Sequence, residues 1–186
     1  YRRQRQMCIR DRDNSIEKYN LFNVEFIPNG MFSMYKSLLA NNEDRVEIIN
    51  NSSYHNQRQH MSRQQNDVFK YTCVDNIDIF GNIGNKLFSN TKEKGHFGQP
   101  KIIIGSFGIN SFIDFEGEYG MTEHCSGIVD SPNNLKMIKK ALDSDKFNEF
   151  NFMLYIGGIA PRKSASFNRK VIATFRKDFY KQFLND

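Results

Sequence analysis

From Gly95 to His124 the chain reads GHFGQPKIIIGSFGINSFIDFEGEYGMTEH. Lys101–Gly105, with three isoleucines in a row, predicts a short buried-type strand. It feeds a loop punctuated by Gly105 and Gly108. A second turn over Glu116–Gly120 then delivers Met121, Thr122, Glu123 and His124 in a row. Glycine allows positive backbone dihedrals and close approach by another chain. Loops of this kind on a strand scaffold present polar groups to partners, so the stretch predicts a recognition surface before a catalytic one.

Working outward, Asn23–Ile27 alternates and stops at Pro28-Asn29-Gly30, which predicts a strand closed by a turn. Met31–Leu39 has apolar residues at helical spacing. Val46–Ile49 predicts a second strand, and the polar stretch Asn50–Asp67 either an exposed binding loop or a partly disordered segment. Val68–Val74, Asn76–Phe80 and Cys125–Val129 resume strand character, while Asn85–Lys94 reads as a polar, lysine-bearing loop. Ser131-Pro132 supplies an N-cap followed by proline at the first helical position, with Leu135, Ile138, Ala141 and Leu142 on one face and Phe147 beyond. Ile172, Phe175, Phe179 and Phe183 predict a terminal helix. Strands interrupted by about three helices give an α+β fold with a mixed sheet.

Composition needs one correction. Tyr1–Arg12 is polar, without apolar period, and reads as translated sequencing adapter, with a genuine basic arm as the rival reading; the expected fold is a single domain over 13–186, a fragment of a longer protein. The segment carries five Arg and one Asp, so the formal charge of +5 falls to +1 without it, and net charge alone argues for no nucleic-acid partner. The 17 Phe and 8 Tyr supply core bulk where Trp is absent. No apolar run reaches the roughly 18 residues of a membrane span, and Cys73 and Cys125 suggest buried thiols or a reducing compartment. A soluble, cytoplasmic chain without membrane partners is expected.

Chemistry-bearing patterns are few. Asp78–Gly84 superficially resembles a methyl-donor loop, but Asn82 stands where glycine is needed and no helix follows, so it reads as a hairpin turn. His55, His60, His96 and His124 lack metal-ligand spacing, and Asp114, Glu116 and Glu118 read as a solvated acidic turn. No catalytic, cofactor or metal residue is assigned. The polar runs Tyr54–Arg58 and Lys163–Arg169 mix the amide, hydroxyl and guanidinium groups that contact phosphates and base edges.

In order along the chain, Val24–Gly30, Ser53–Arg58, Phe69–Val74, Leu87–Gly98, Pro100–Gly105, Glu116–His124 and Phe175–Tyr180 resemble the C-terminal target-recognition region of adenine-specific DNA methyltransferases, the TaqI-like restriction–modification methylases and their phage or viral relatives. Ser164–Arg169 stands where that family carries a Trp-containing motif, and this chain has no Trp. The resemblance implies a TaqI-like recognition fold that grips double-stranded DNA. A partner catalytic domain, absent from this chain, would bind S-adenosylmethionine and methylate the extruded adenine. It also implies phosphate contacts by Lys92, Lys94, Arg162, Lys163, Arg169 and Lys170, and base or sugar contacts by Arg58, Asn90, His96, Asn110, Thr122 and His124. A metal-dependent nuclease fragment and a protein-interaction module are the alternatives.

Overall fold

A computed structural model describes residues 6–10, 16–20, 26–50, 58–154 and 165–184. In chain order the elements are β1 (Gln6–Arg10), β2 (Ile16–Asn20), α1 (Phe32–Leu38), β3 (Glu47–Asn50), β4 (Met61–Ser62), β5 (Tyr71–Val74), β6 (Lys86–Ser89), β7 (Lys101–Gly105), β8 (Ser111–Asp114), β9 (Gly120–Met121), β10 (Cys125–Val129), α2 (Pro132–Leu142), α3 (Asp145–Met153) and α4 (Arg169–Ile172). The fold is α+β. β1 and β2 pair antiparallel in a sheet of their own, so the arginine-rich start takes regular strand pairing where the sequence suggested none.

The first sheet is antiparallel in the order β3-β10-β7-β8. Every residue of β7 is buried, which is what the isoleucine run demands: one face packs on helices and the other on a second sheet. Ile102, Ile104 and Ile128 join the helical core with Leu135, Ile138 and the phenylalanines. Ile103 points the other way, into a smaller cluster with Ile49, Val74, Ile77 and Met121. That cluster belongs partly to the second sheet, β4-β6-β5-β9, in which β9 runs parallel to β5 and the other pairs are antiparallel. The molecule is therefore layered: helices, first sheet, second sheet.

α2 forms as its sequence dictates. Ser131 caps it by accepting the Asn134 amide, Pro132 opens it, and Leu135, Ile138, Ala141 and Leu142 are fully buried. Phe147 does not extend that face. Ser144 accepts the Phe147 amide and starts α3, which buries Phe147, Phe150 and Met153.

Other expectations are corrected. The terminal helix breaks after Ile172, because Phe175 and Arg176 find backbone partners on another segment: Val46 N–H donates to Phe175 O and Arg176 N–H to Leu38 O, both at 2.8 Å. Phe179–Phe183 then form a 3₁₀ turn; all four predicted apolar residues are buried, so the spacing foretold burial and not conformation. Asn76–Phe80 is a turn closed by the Ile77–Ile83 bridge. The Asp78 carboxylate accepts the Phe80 and Asn82 amides at 2.9 and 2.8 Å, and the bond from Asn82 is the chief reason its pKa is lowered. This is the hairpin-turn reading of Asp78–Gly84. Val68 and Phe69 donate their amides to the Asn66 side chain, which leaves only Tyr71–Val74 as strand. Lys86–Ser89, read as loop, is a strand between β4 and β5. Of the expected opening strand, 23–25 lie outside the described residues, and Phe26 and Ile27 have no regular structure.

Candidate nucleic-acid interface

β6 organises a surface where two of the expected contact residues, Asn90 and Lys92, meet. Ser89 lies opposite both Met61 and Tyr71, so His60, Asn90 and Lys70 flank that row. Asn90 N–H donates to His60 O at 3.2 Å. The side chains close the same link: His60 Nδ1 lies 3.0 Å from Asn90 Oδ1, where the ring nitrogen donates and the amide oxygen accepts. That bond fixes the orientation of the Asn90 amide. The following turn is held by Ser89, whose hydroxyl donates to Thr91 O at 2.9 Å and accepts the Thr91 amide at 3.2 Å. Lys92 is thereby brought to the Tyr71 ring, 5.2 Å from its centroid, with Lys70 at 5.3 Å. Phe97 stands edge-on to the same ring at 6.2 Å. Two ammonium groups, a phenol, an imidazole and an amide thus share one end of the second sheet. His60, Lys70 and Tyr71 were not among the predicted contacts.

The remaining predicted residues fall in other places. His96 Nε2 donates to Asn50 O at 3.2 Å, at the end of β3. Asn110 and His124 sit at the same end of the first sheet, since Asn50, Ser126, Ile104 and Ser111 lie in register. Asn110 Nδ2 donates to Phe107 O at 3.4 Å and steadies the β7–β8 turn. The His124 ring is exposed, 3.7 Å from Glu123, and its carbonyl accepts from the Ser106 hydroxyl. Thr122 is buried; its hydroxyl donates to Asp75 at 2.7 Å and accepts the His124 amide at 3.3 Å. It braces the β9–β10 turn and turns no side chain outward. Lys94 lies half-buried on the segment before β7.

Arg169 and Lys170 are on α4, whose Val171 and Ile172 enter the helical core, so the first sheet separates them from Lys92. Arg162 and Lys163 lie outside the described residues, as does the side chain of Arg58, whose backbone forms a 3₁₀ turn with Gln59 and His60.

The acidic turn is solvated at Glu116 and Glu118, as expected, but not at Asp114. Asp114 is buried and accepts from Lys101 Nζ at 2.7 Å, from Glu118 N–H at 2.9 Å and from Tyr119 N–H at 3.0 Å. Burial pulls the Lys101 ammonium below its ordinary pKa, with Asp114 opposing. Among the described residues no three His, Cys, Asp or Glu converge to hold a metal. Gly117 and Gly120 fit this turn to its surroundings: a Cβ on Gly117, where φ is +70°, would fall 2.3 Å from the Gln99 amide, and one on Gly120 2.5 Å from the Phe97 ring.

Two turns carry apolar tips. Ile79, Phe80 and Phe107 are 78%, 82% and 76% exposed. Their loops abut, since a Cβ on Gly81 would lie 3.1 Å from Ser111 O and one on Gly105 3.3 Å from Ile77. No helix among the described residues is long and apolar enough to cross a membrane. No family model matches the chain, and no curated protein matches it.

Proposed function

We propose that this chain recognises duplex DNA, as the target-recognition part of an adenine-specific, restriction–modification-type methyltransferase acting in the cytoplasm. A separate catalytic domain would bind S-adenosylmethionine and carry out the transfer. The observation that supports this reading is one end of the second sheet, where Lys70 and Lys92 flank Tyr71 beside the hydrogen-bonded His60–Asn90 pair. Lysines there neutralise phosphates, which positions the protein without reading sequence. Asn90 is the group suited to an adenine edge, because a carboxamide can pair with N6 and N7 together. Asn110, His96 and His124, at the far end of the first sheet, form a second contact region. Arg169 and Lys170, on the helical layer, belong to neither.

Fluorescence anisotropy on a labelled duplex tests the reading. Affinity should fall steeply between 50 and 200 mM salt, a fall of the kind that follows from about one released counterion per phosphate contact. Replacing both lysines, Lys70→Ala with Lys92→Ala, should lower the log–log salt slope by about two. Asn90→Ala should leave that slope alone and relax sequence preference. A double variant that binds every duplex as the parent does would defeat the proposal.

One observation favours a second reading. The exposed Ile79, Phe80 and Phe107 suit a surface that docks on another protein domain. In the methyltransferase reading that domain is the catalytic one. Should duplex binding be absent at low salt, the same tips make the chain a protein-interaction module.

A further inference from the structure

A carboxamide accepts through its oxygen and donates through its nitrogen, and half a turn about its last torsion exchanges the two. That torsion is broad in Asn, so an unheld side chain has no fixed sense. At the major-groove edge of adenine the oxygen has to face N6 and the nitrogen N7. The exchanged amide sets donor against donor and acceptor against acceptor. Guanine offers acceptors at both O6 and N7, so a held oxygen is repelled there, whereas a free amide swings to point its nitrogen at both. An Asn that tells adenine from guanine therefore needs a partner inside the protein.

Asn90 has one. Its N–H donates to His60 O at 3.2 Å, which continues the pairing of β4 with β6 by one residue beyond Met61 and Ser89. On the other side the Ser89 hydroxyl, donating to Thr91 O at 2.9 Å, fixes the main chain. With the backbone set, the amide torsion is what remains, and His60 Nδ1 meets Oδ1 at 3.0 Å. Both side chains are half-buried, which limits competition from water. The ring itself is placed by the 3₁₀ turn Arg58–His60. Gln59 Nε2 stands 3.5 Å from the ring's Nε2, the nitrogen left to accept when the proton is on Nδ1.

We infer that His60 is a positioning residue that sets base specificity: it touches no base, and it makes Asn90 an adenine reader by holding Oδ1. The held oxygen keeps a second lone pair, which with Nδ2 forms the edge offered to N6 and N7. The inference rests on the duplex reading above and names the residue that fixes its base preference. Lys70 and Lys92, on the Tyr71 ring, are the phosphate partners in that reading. His60 therefore acts on the choice of base and leaves the salt dependence alone.

Selection of the full chain on a pool of randomised duplexes, with the bound fraction sequenced, tests it. Adenine should be enriched at a position whose preference Asn90→Ala abolishes. His60→Phe, which keeps a ring without a donor, should lower the adenine-to-guanine ratio at that position at least about fivefold, the lower end of what a bidentate contact supplies. His60→Asn places an amide nitrogen close to where Nδ1 stands and should restore most of the ratio; His60→Gln carries it one bond farther and should not. All three should keep the parent's salt slope. His60→Phe combined with Asn90→Ala should discriminate as Asn90→Ala does alone, because the two residues act as one unit. Without any DNA, nitrogen NMR at alkaline pH should find the ring proton of His60 on Nδ1. A proton on Nε2, with Asn90 donating to a bare Nδ1, would overturn the inference, as would an unchanged ratio in His60→Phe. If the parent binds no duplex, the duplex reading falls and this role with it; if His60→Phe binds and discriminates normally, this role falls alone.

Discussion

The two faces of β7 are filled in opposite ways. Toward the helices, Ile102 and Ile104 meet a cluster of aromatic rings, with Phe147 and Phe183 at 5.0 Å and Phe150 and Phe175 at 5.9 Å between centroids. Toward the second sheet, Ile103 has a smaller apolar cluster, and Lys101 places a buried charge against Asp114. Large apolar burial is tolerant of exact fit and supplies most of the stability. A buried ion pair supplies little net stability, and losing one partner is costly where the other is left without compensating hydrogen bonds. The helical side thus holds the fold together. The other side holds Gly117–Gly120, and through it β9, in one arrangement.

The largest effects should come from testing each face directly. Phe175→Ala removes a fully buried ring from the helical core and should cost about 3–5 kcal/mol in urea unfolding. Asp114→Ala should cost a similar ~3–5 kcal/mol, although it removes far less apolar surface, because Lys101 is left buried without its counter-charge. Lys101→Met should cost clearly less, since the carboxylate keeps its two backbone donors. If the three ranked by buried apolar area alone, the contrast between the faces would be wrong.

A smaller effect concerns pH. Burial pushes the Cys125 thiol up from 9.0 to about 12, with Asp75 adding to the shift. The folded state therefore holds this proton where the unfolded chain has released it. The thiol's contribution is whole below pH 9 and is lost as pH rises toward 12, at up to ~1.4 kcal/mol per pH unit. Cys125→Ala should flatten that part of the stability curve, and an unchanged alkaline slope would show that the thiol is not shielded in solution.

Sequence reasoning reached the parts of the molecule where a local pattern meets its own requirement. The isoleucines of β7, the strand Cys125–Val129 and the Ser131-Pro132 cap each carry their instruction within a few residues. It failed where partners are distant. Lys86–Ser89 has only Leu87 and Phe88 as apolar content, and it becomes a strand because β4 and β5 flank it. Phe175 leaves its helix for the same reason, drawn by Leu39 and Val46.

The candidate site divides likewise. Asn90 and Lys92 were visible in a polar run, but nothing local tied them to Lys70, Tyr71 or His60, which adjoin them only through sheet register. Thr122 was selected for its hydroxyl, which proves to be spent inside the protein on Asp75. The Lys101–Asp114 pair had a usable signal: a hairpin centred on Gly105–Asn110 puts those two residues opposite each other.

The two-residue strand β9 carries a mechanical corollary. Gly120 and Met121 are stitched to Cys73 and Val74 in one sheet, yet only Thr122–His124 separate them from β10, an inner strand of the other. That tether is short, and Thr122 pins its start to both Val74 and Asp75. A pull exerted at the lysine–tyrosine end is therefore carried through β5 and β9 into β10, an inner strand of the first sheet.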